Sequence, residues 1–241
     1  MYHNSFLTVE NSIMIHKPSA SAFTFILMLL LFGNKSFTQE WKSEKRVNVL
    51  FGLTQVIAHG FNIEANYVHN RLIIDFSHGI ALQYQTQDVP DYLKNQDVEV
   101  YVPWTTGFGI GYRWTEWLNT RIEPKWHRFE YYYTGDLEKR TEQIASCEAF
   151  SLGIGVYGDF RPFKKKNNFL KGLMIAPSIR YWPTISSHWN GGPRYYNSHT
   201  MEQEEFKTPN AGLGLTPWVV NISIGYSFQF KNVKKEAKAL K

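Results

Sequence analysis

Hydrophobic and polar residues alternate with a period of two along most of the chain from Val47 onward, which is the pattern of β-strands. The last segment shows this most clearly. Bulky residues such as Trp218 and Phe228 occupy its even-numbered positions, and small polar residues such as Asn221 and Ser223 occupy its odd-numbered positions. Each of these two sets, called here a parity, lies on one face of the strand. Eight such segments cover residues 46–56, 60–69, 71–84, 99–114, 119–133, 150–157, 173–182 and 218–230. The pattern predicts an all-β protein of about eight strands.

These segments are long for a soluble sheet, whose strands usually have about five or six residues. They approach the roughly 9–11 tilted residues that cross a bilayer. A soluble barrel of the lipocalin kind keeps its apolar side chains inside and its charged ones outside. In the last segment, however, the polar parity holds small residues rather than Lys or Glu. We therefore predict a single closed, antiparallel, up-and-down transmembrane β-barrel over residues 46–230. The strand positions that carry bulky residues are predicted to face lipid.

The predicted connections alternate in length. The short ones are His69–Asn70, Thr115–Leu118 and Arg161–Phe169, and the long ones are Gln85–Val98, Thr134–Ser146 and Ser187–Leu215. Short periplasmic turns and long extracellular loops are typical of outer-membrane barrels. The connection near Ile57–Gly60 is short and departs from this trend.

Together these features resemble the small, eight-stranded outer-membrane β-barrel proteins of Gram-negative bacteria. The segment Ile224-Gly-Tyr-Ser-Phe-Gln-Phe230 is similar to the aromatic final strand that the barrel-assembly machinery reads in that family, although 11 residues follow it here. The resemblance implies an integral protein of the outer membrane that contacts outer-membrane lipid and is inserted by that machinery.

The N-terminal region has the three parts of a secretory signal. Lys17 precedes the apolar run Ala22–Gly33, and Ser36 and Thr38 place small residues before a cut at Gln39. We predict a cleaved signal peptide over residues 1–38, with Met14 as an alternative start. Residues 39–45 then form a short N-terminal segment, and residues 231–241 form a basic C-terminal tail.

The net charge of +5 is located at the two ends of the chain. Five lysines against Glu236 give the tail +4, the residues before Gln39 carry +1, and residues 39–230 are therefore neutral. Nucleic-acid binders carry basic surface on the folded body, so this function class is excluded. The single cysteine, Cys147, excludes an intrachain disulfide and a Cys-rich metal site. We expect neither a metal nor a cofactor.

Charged residues on the strand face that carries the small residues are expected to lie together in the lumen. They are Glu64, Asp75, Arg113, Arg121, Glu123, Lys125, His127 and Arg180. An eight-stranded barrel is just wide enough for side chains to fill it, and buried charges have to pair. We expect a salt-bridged plug, with a narrow proton or ion path as the functional alternative. The glycines of the segment 107–111 are expected to relieve crowding inside.

Aromatic residues near the strand ends are predicted to anchor the barrel at the two membrane interfaces. The candidates are Trp104, Trp114, Trp117, Trp182, Trp189 and Trp218.

Catalytic chemistry has weak support in the sequence. Some small outer-membrane barrels are lipid A deacylases with the motif Phe-x-His-x-Ser-Asn. The segment Phe76–Ala81 matches its Phe and His but has Ile80 and Ala81 at the Ser and Asn positions. Ser187 and His188 place a hydroxyl beside an imidazole in a long loop, without an acid partner in the sequence. They are the weak catalytic candidates.

Three functions remain open. The first is a non-catalytic outer-membrane barrel that is structural or docks a protein partner through residues 187–215. The second is an outer-membrane enzyme acting on lipid A or phospholipid. The third is a soluble periplasmic lipocalin-like barrel that binds a ligand.

Overall fold

The structure, a computed structural model, describes residues 41–189 and 192–230. The predicted signal peptide at residues 1–38 and the basic tail at residues 231–241 lie outside these ranges, as do the first two residues of the segment 39–45.

The described residues are mostly β-strand. The strands are β1 (Lys45–Gly52), β2 (Phe61–His69), β3 (Leu72–Tyr84), β4 (Val98–Arg113), β5 (Leu118–Tyr133), β6 (Ala145–Gly158), β7 (Leu173–Tyr181), β8 (Thr184–Ser187), β9 (Arg194–Asn197), β10 (Glu202–Glu205) and β11 (Trp218–Gln229). Single helical turns lie at Trp41–Ser43, Thr54–Ile57, Asp91–Lys94, Phe169–Gly172 and Leu213–Leu215. Across the described ranges, no helix is long and apolar enough to cross a membrane.

Eight strands pair in a closed ring. Strands β1 to β7 are each antiparallel to the next, β7 pairs with β11, and β11 pairs with β1. The closing pair runs from Arg46 opposite Gln229 to Gly52 opposite Ser223. β8 continues the line of β7 along β6, after a break at Pro183, which has no N–H to donate to a ladder. The predicted all-β, closed, antiparallel up-and-down barrel of eight strands is confirmed.

The two ends of the ring differ. One end, called here the turn end, carries the connections 70–71, 114–117 and 159–172 together with Trp41–Ser43. The other, called the loop end, carries residues 53–60, 85–97, 134–144 and 182–217. The long connection predicted over residues 187–215 contains a hairpin, in which β9 and β10 pair from Arg194 opposite Glu205 to Asn197 opposite Glu202.

The predicted first strand was too long. β1 ends at Gly52, and residues 54–57 make a helical turn in place of strand. The main chain there is bound to β11 instead of continuing the ladder with β2. Leu53 N donates to Ile222 O at 2.9 Å, and Thr54 N donates to Asn221 Oδ1 at 3.3 Å.

The side-chain parity of β3 and β4 reverses near the loop end. We predicted that Leu82, Tyr84, Val100 and Val102 face lipid, but all four are buried inside. The reversal on β3 occurs at Ala81, whose φ of 61° lies in the left-handed region and turns the strand by one position. On β4 the register with β5 shifts between Tyr101 and Trp104, around Pro103.

This reversal creates an apolar core at the loop end, called here the apolar cap. Its buried members are Leu82, Tyr84, Val89, Leu93, Val98, Val100, Val102, Phe129, Tyr131, Cys147, Ala149, Phe206 and Leu215. They come from the strands β3 to β6 and from the loops above them, so the cap fastens those loops to the barrel. The lumen is therefore apolar near the loop end and polar below it.

Phe129→Ala is expected to destabilise the barrel by about 3–5 kcal/mol, because Phe129 is fully buried in the apolar cap and its loss leaves a cavity. The matched control is Phe108→Ala, since Phe108 lies on β4 with its ring 54% exposed on the outer face. The free energy of unfolding, measured by urea titration in detergent micelles, should fall much less for the control. Equal losses in the two variants would contradict the inward placement of Phe129.

Candidate functional site

All eight charged side chains predicted for the lumen are buried in the structure. Six of them form one group in the middle of the barrel, called here the polar layer: Glu64, Asp75, Arg121, Glu123, Lys125 and Arg180. His127 lies between this layer and the apolar cap, and Arg113 lies at the turn end. Alternation along the strands places them there, because in β5 residues 119, 121, 123, 125 and 127 are all buried.

Arg121 is the centre of the polar layer. Its Nη1 lies 2.6 Å from Glu64 Oε1 and 3.3 Å from Asp75 Oδ2. Its guanidinium also stacks over the ring of Tyr157 at 4.1 Å. Glu64 is shared with Arg180, whose Nη2 is 3.7 Å from Glu64 Oε2. The guanidinium of Arg121 thus joins charges from β2, β3 and β5, and Glu64 adds Arg180 of β7 to the same network.

The other acid and base of this layer are bound mainly by neutral groups. Glu123 Oε2 accepts from the hydroxyl of Tyr157 at 2.5 Å and from the indole N–H of Trp182 at 3.1 Å. Lys125 Nζ donates to Ser77 Oγ at 2.5 Å and lies 4.0 Å from the centre of the Trp182 ring. Lys125 and Glu123 therefore belong to the same cluster without a direct ion pair.

A second charged cluster closes the turn end. Arg46 Nη2 lies 2.6 Å from Asp159 Oδ2, and Glu44 binds Arg113 at 3.0 Å and Arg161 at 2.7 Å. The sequence analysis included only Arg113. Arg46 could have been found, because it shares the inward parity of β1, but Glu44, Asp159 and Arg161 lie outside the strands, where alternation gives no signal.

The charge environment of Glu44 fixes its ionisation. Burial by itself would raise the pKa of Glu44, but the guanidinium groups of Arg46, Arg161 and Arg113 outweigh it and lower the pKa from 4.5 to about 2. Glu44 therefore stays ionised at any neutral or mildly acidic pH and holds three arginines at the turn end.

Two glycines of β4 give the charged side chains their space. A Cβ at Gly109 would collide with the carboxylate of Asp75, which lies directly opposite in the register. A Cβ at Gly111 would lie 2.7 Å from Arg121 Cγ. This agrees with the expectation that glycine relieves crowding in the lumen, and it ties the backbone of β4 to the polar layer.

A small cavity of about 50 Å³ lies between the polar layer and the apolar cap. Lys125, His127 and Arg180 line its inner part, and Gln55 and Leu213 line the part nearest the loop-end surface. Its volume admits only a few water-sized groups. In the described residues no cluster of three His, Cys, Asp or Glu side chains is placed to hold a metal ion.

The outer face of the ring is an apolar band that includes residues from all eight strands. Exposed members are Val49, Ile63, Tyr67, Ile74, Phe76, Phe108, Ile110, Ile122, Trp126, Leu152, Ile154, Val156, Ile175, Ile179, Val220, Ile222, Ile224 and Phe228. Soluble monomers rarely expose a contiguous apolar surface larger than a few hundred Å². Below the apolar cap, the barrel is polar inside and apolar outside, the reverse of a soluble protein.

A groove interrupts this band on one side. It has a volume of about 660 Å³ and is lined almost wholly by apolar side chains of β1, β2, β7 and β11. Phe163, from the connection between β6 and β7, forms part of its wall at the turn end. The groove therefore runs along the seam where the first and last strands of the ring meet.

The predicted interface tryptophans divide into two groups. Trp114 and Trp218 are more than half exposed, at the turn end and the loop end respectively. Trp117, next to the start of β5, and Trp104, in the interior of β4, are partly exposed. The placement of Trp182 at the interface was wrong, because it is buried. Trp182 has the inward parity of Arg180 and binds Glu123 in the lumen.

Trp189 packs in the roof of the apolar cap. Its ring lies 5.4 Å from that of Tyr131 and 5.6 Å from that of Phe206. Its ring therefore stabilises the loops against the barrel.

The weak catalytic candidates Ser187 and His188 are not assembled into a nucleophile and base. Ser187 Oγ is bound to Trp189 O at 3.1 Å and to Thr208 Oγ1 at 2.8 Å. His188 Nδ1 accepts from Glu148 N at 3.0 Å. Both groups are thus engaged in structural hydrogen bonds that hold β8 and its loop.

A closed ring of eight antiparallel strands, with ion pairs inside and an apolar band outside, defines a β-barrel of inverted polarity. Among solved structures, the chain is similar to the N-terminal β-barrel domain of Pseudomonas aeruginosa OprF, at 11% identity and a TM-score of 0.39 over 78% of this chain and 98% of that one. It is also similar to the Yersinia pestis outer membrane protein Ail in a phospholipid bilayer nanodisc, at 14% identity and a TM-score of 0.32 over 78% and 99%. No family model and no curated protein matches the sequence.

The contribution of Glu44 to stability should depend on pH. Because its folded pKa of about 2 is below its ordinary value of 4.5, ionised Glu44 stabilises the fold above about pH 4.5, and this contribution is lost as the pH falls towards 2. The difference in unfolding free energy between wild type and Glu44→Gln is expected to shrink over that window, from up to about 3 kcal/mol. Urea unfolding at a series of pH values measures it.

The exposed loop residue Glu138 provides the control. Glu138→Gln should track the wild type within about 0.5 kcal/mol at every pH. A wild-type advantage over Glu44→Gln that is the same at pH 3 and pH 7 would contradict the assigned role of Glu44.

Proposed function

We propose that the chain is an integral β-barrel protein of the Gram-negative outer membrane, exported with a cleaved signal peptide and inserted by the barrel-assembly machinery. The observation that carries this proposal is the apolar band, which includes outward side chains from all eight strands while the charges lie inside. Lipid is the solvent that such a surface requires. A soluble lipocalin-like barrel would need the opposite polarity.

A structural or docking role, without catalysis or an open pore, fits the interior best. The polar layer fills the middle of the lumen with paired charges, and the apolar cap fills its loop end. The enzyme alternative loses support because Ser187 and His188 bind other groups. No observation favours it over the proposed role.

We further propose that the loop end docks a protein partner through the β9–β10 hairpin. The hairpin is held firmly to the barrel, because Asn197 Nδ2 donates to Gln96 O at 2.6 Å and the ring of His199 stacks on Tyr133 at 4.1 Å. Tyr196 and Met201 are nevertheless exposed on it. A rigid hairpin with exposed apolar groups suits recognition, since little ordering entropy is lost on binding.

Ile154→Lys tests whether the outer face contacts lipid. Ile154 lies between Leu152 and Val156, the other exposed apolar residues of β6, so it belongs to the middle of that strand's part of the apolar band. A lysine at that depth is expected to lower the free energy of unfolding by about 2–4 kcal/mol in lipid vesicles. The control is Ile57→Lys, at an 81% exposed position on the loop end, which should change little.

Tolerance of both lysines within about 0.5 kcal/mol would identify a soluble barrel, because an exposed lysine in water costs little. Unheated and heated samples of the outer-membrane fraction give a second readout. A folded membrane barrel should migrate differently before and after heating, whereas recovery in the soluble fraction would reject the proposal.

A photo-crosslinking residue at Tyr196 tests the docking surface. In intact cells it is expected to give one discrete adduct, whose mass is that of the chain plus that of a single crosslinked partner protein. The same residue at Phe169, which is 74% exposed at the turn end, provides the control for non-specific adducts. Identical adducts at the two positions, or none at Tyr196, would remove the partner and leave a purely structural role.

A further inference from the structure

The cavity between the polar layer and the apolar cap has a strongly basic inner wall. Lys125, Arg180 and His127 line it, and no carboxylate is among its lining residues. Lys125 and Arg180 lie against the same indole, with Lys125 Nζ 4.0 Å and Arg180 Cζ 5.1 Å from the centre of the Trp182 ring. The two cations are therefore close together on one side of the cavity.

The ionised groups of the polar layer balance in number but not in pairing. Three cations, Arg121, Lys125 and Arg180, lie among three carboxylates, Glu64, Asp75 and Glu123. Each of the arginines has an ion pair with a carboxylate, but Lys125 has none within the described ranges. The ammonium of Lys125 therefore lines the cavity without a carboxylate in ion-pair contact.

The wall of the cavity also contains a polar atom without a hydrogen-bond partner among the described residues. His127 Nδ1 is engaged by Thr105 Oγ1 at 2.7 Å, whereas its Nε2 is fully buried and has no partner in the described structure. With the proton on Nε2, the imidazole can accept from Thr105 and donate towards the cavity. An unpaired buried ammonium and an unpaired buried donor are both costly, and an anion would satisfy the two together.

We propose that this cavity binds one small monovalent anion, of the size class of chloride, held by Lys125, Arg180 and His127. The volume of about 50 Å³ admits such an ion with a water molecule or two but excludes large hydrated anions. Entry is from the loop end, because Gln55 and Leu213 line the cavity on that side and Leu213 is 43% exposed.

Iodide provides a direct probe, because it quenches tryptophan fluorescence on contact and Trp182 lies beside Lys125. The full chain is folded in zwitterionic detergent micelles and titrated with sodium iodide at constant ionic strength, with gluconate as the replaced anion. We expect a saturable quenching component on top of the linear collisional one, and we expect chloride to compete for it. The chain has eight tryptophans, so Trp182→Phe is needed to assign the saturable component, and it should abolish it.

Lys125→Met is expected to weaken iodide binding by at least about tenfold, the loss of one charge-assisted hydrogen bond. Lys94→Met is the matched control, because Lys94 is a partly exposed loop lysine paired with Asp91, and it should retain the component.

Thermal unfolding gives a readout that does not depend on fluorescence. The wild-type Tm should rise when chloride replaces gluconate, and the Tm of Lys125→Met should not. If Lys125→Met fails to fold, Lys125→Gln replaces it, and the wild-type comparison of chloride with gluconate decides by itself. Purely linear quenching that is equal in all variants, with a Tm independent of the halide, would overturn the proposal and leave a cavity that holds water alone.

Discussion

The pairing of β1 with β11 is the constraint on which the rest of the molecule depends. Once the first and last strands bond, every strand of the ring has two neighbours and the sheet separates an inside from an outside. Alternation then sends each side chain to one of two very different solvents. A shift of one residue in the register would move the inward side chains outside and the outward ones inside. The register is therefore fixed by the cost of exposing charged groups on the apolar face and of placing bulky apolar groups in the polar lumen.

The interior of the barrel is filled by two different kinds of side chains. Near the turn end and in the middle, arginines and carboxylates form connected clusters around Arg121 and Glu44. Such pairs contribute little net stability, but removing one partner leaves a buried charge and costs about 3–5 kcal/mol. Near the loop end, the apolar cap replaces charge with close packing. The bulge at Ala81 and the register shift near Pro103 reverse the side chains that face inward on β3 and β4. They therefore mark the boundary between the charged interior and the apolar cap.

Much of this could be predicted from alternation alone. The strand β5 keeps one alternation from Asn119 to Tyr131, and its four charged residues on the inward side are all buried. The bulge at Ala81 could not be predicted, because alanine carries no signal for a left-handed backbone. The partners Glu44 and Asp159 were missed because they lie in turns. Trp182 had the inward parity, but its ring suggested a membrane interface, and its hydrogen bond to Glu123 is a tertiary contact that no local pattern encodes.

The close approach of Gly109 to Asp75 links two positions that are far apart in the chain. The carboxylate occupies the space that any side chain at 109 would need, so neither residue is free to change alone. Related sequences that enlarge position 109 would have to shorten or remove the acid at 75, and Arg121 would then lose one of its two closest counter-ions. Drift in this barrel is thus expected to proceed by coordinated exchanges across β3, β4 and β5, with the outer band varying far more freely.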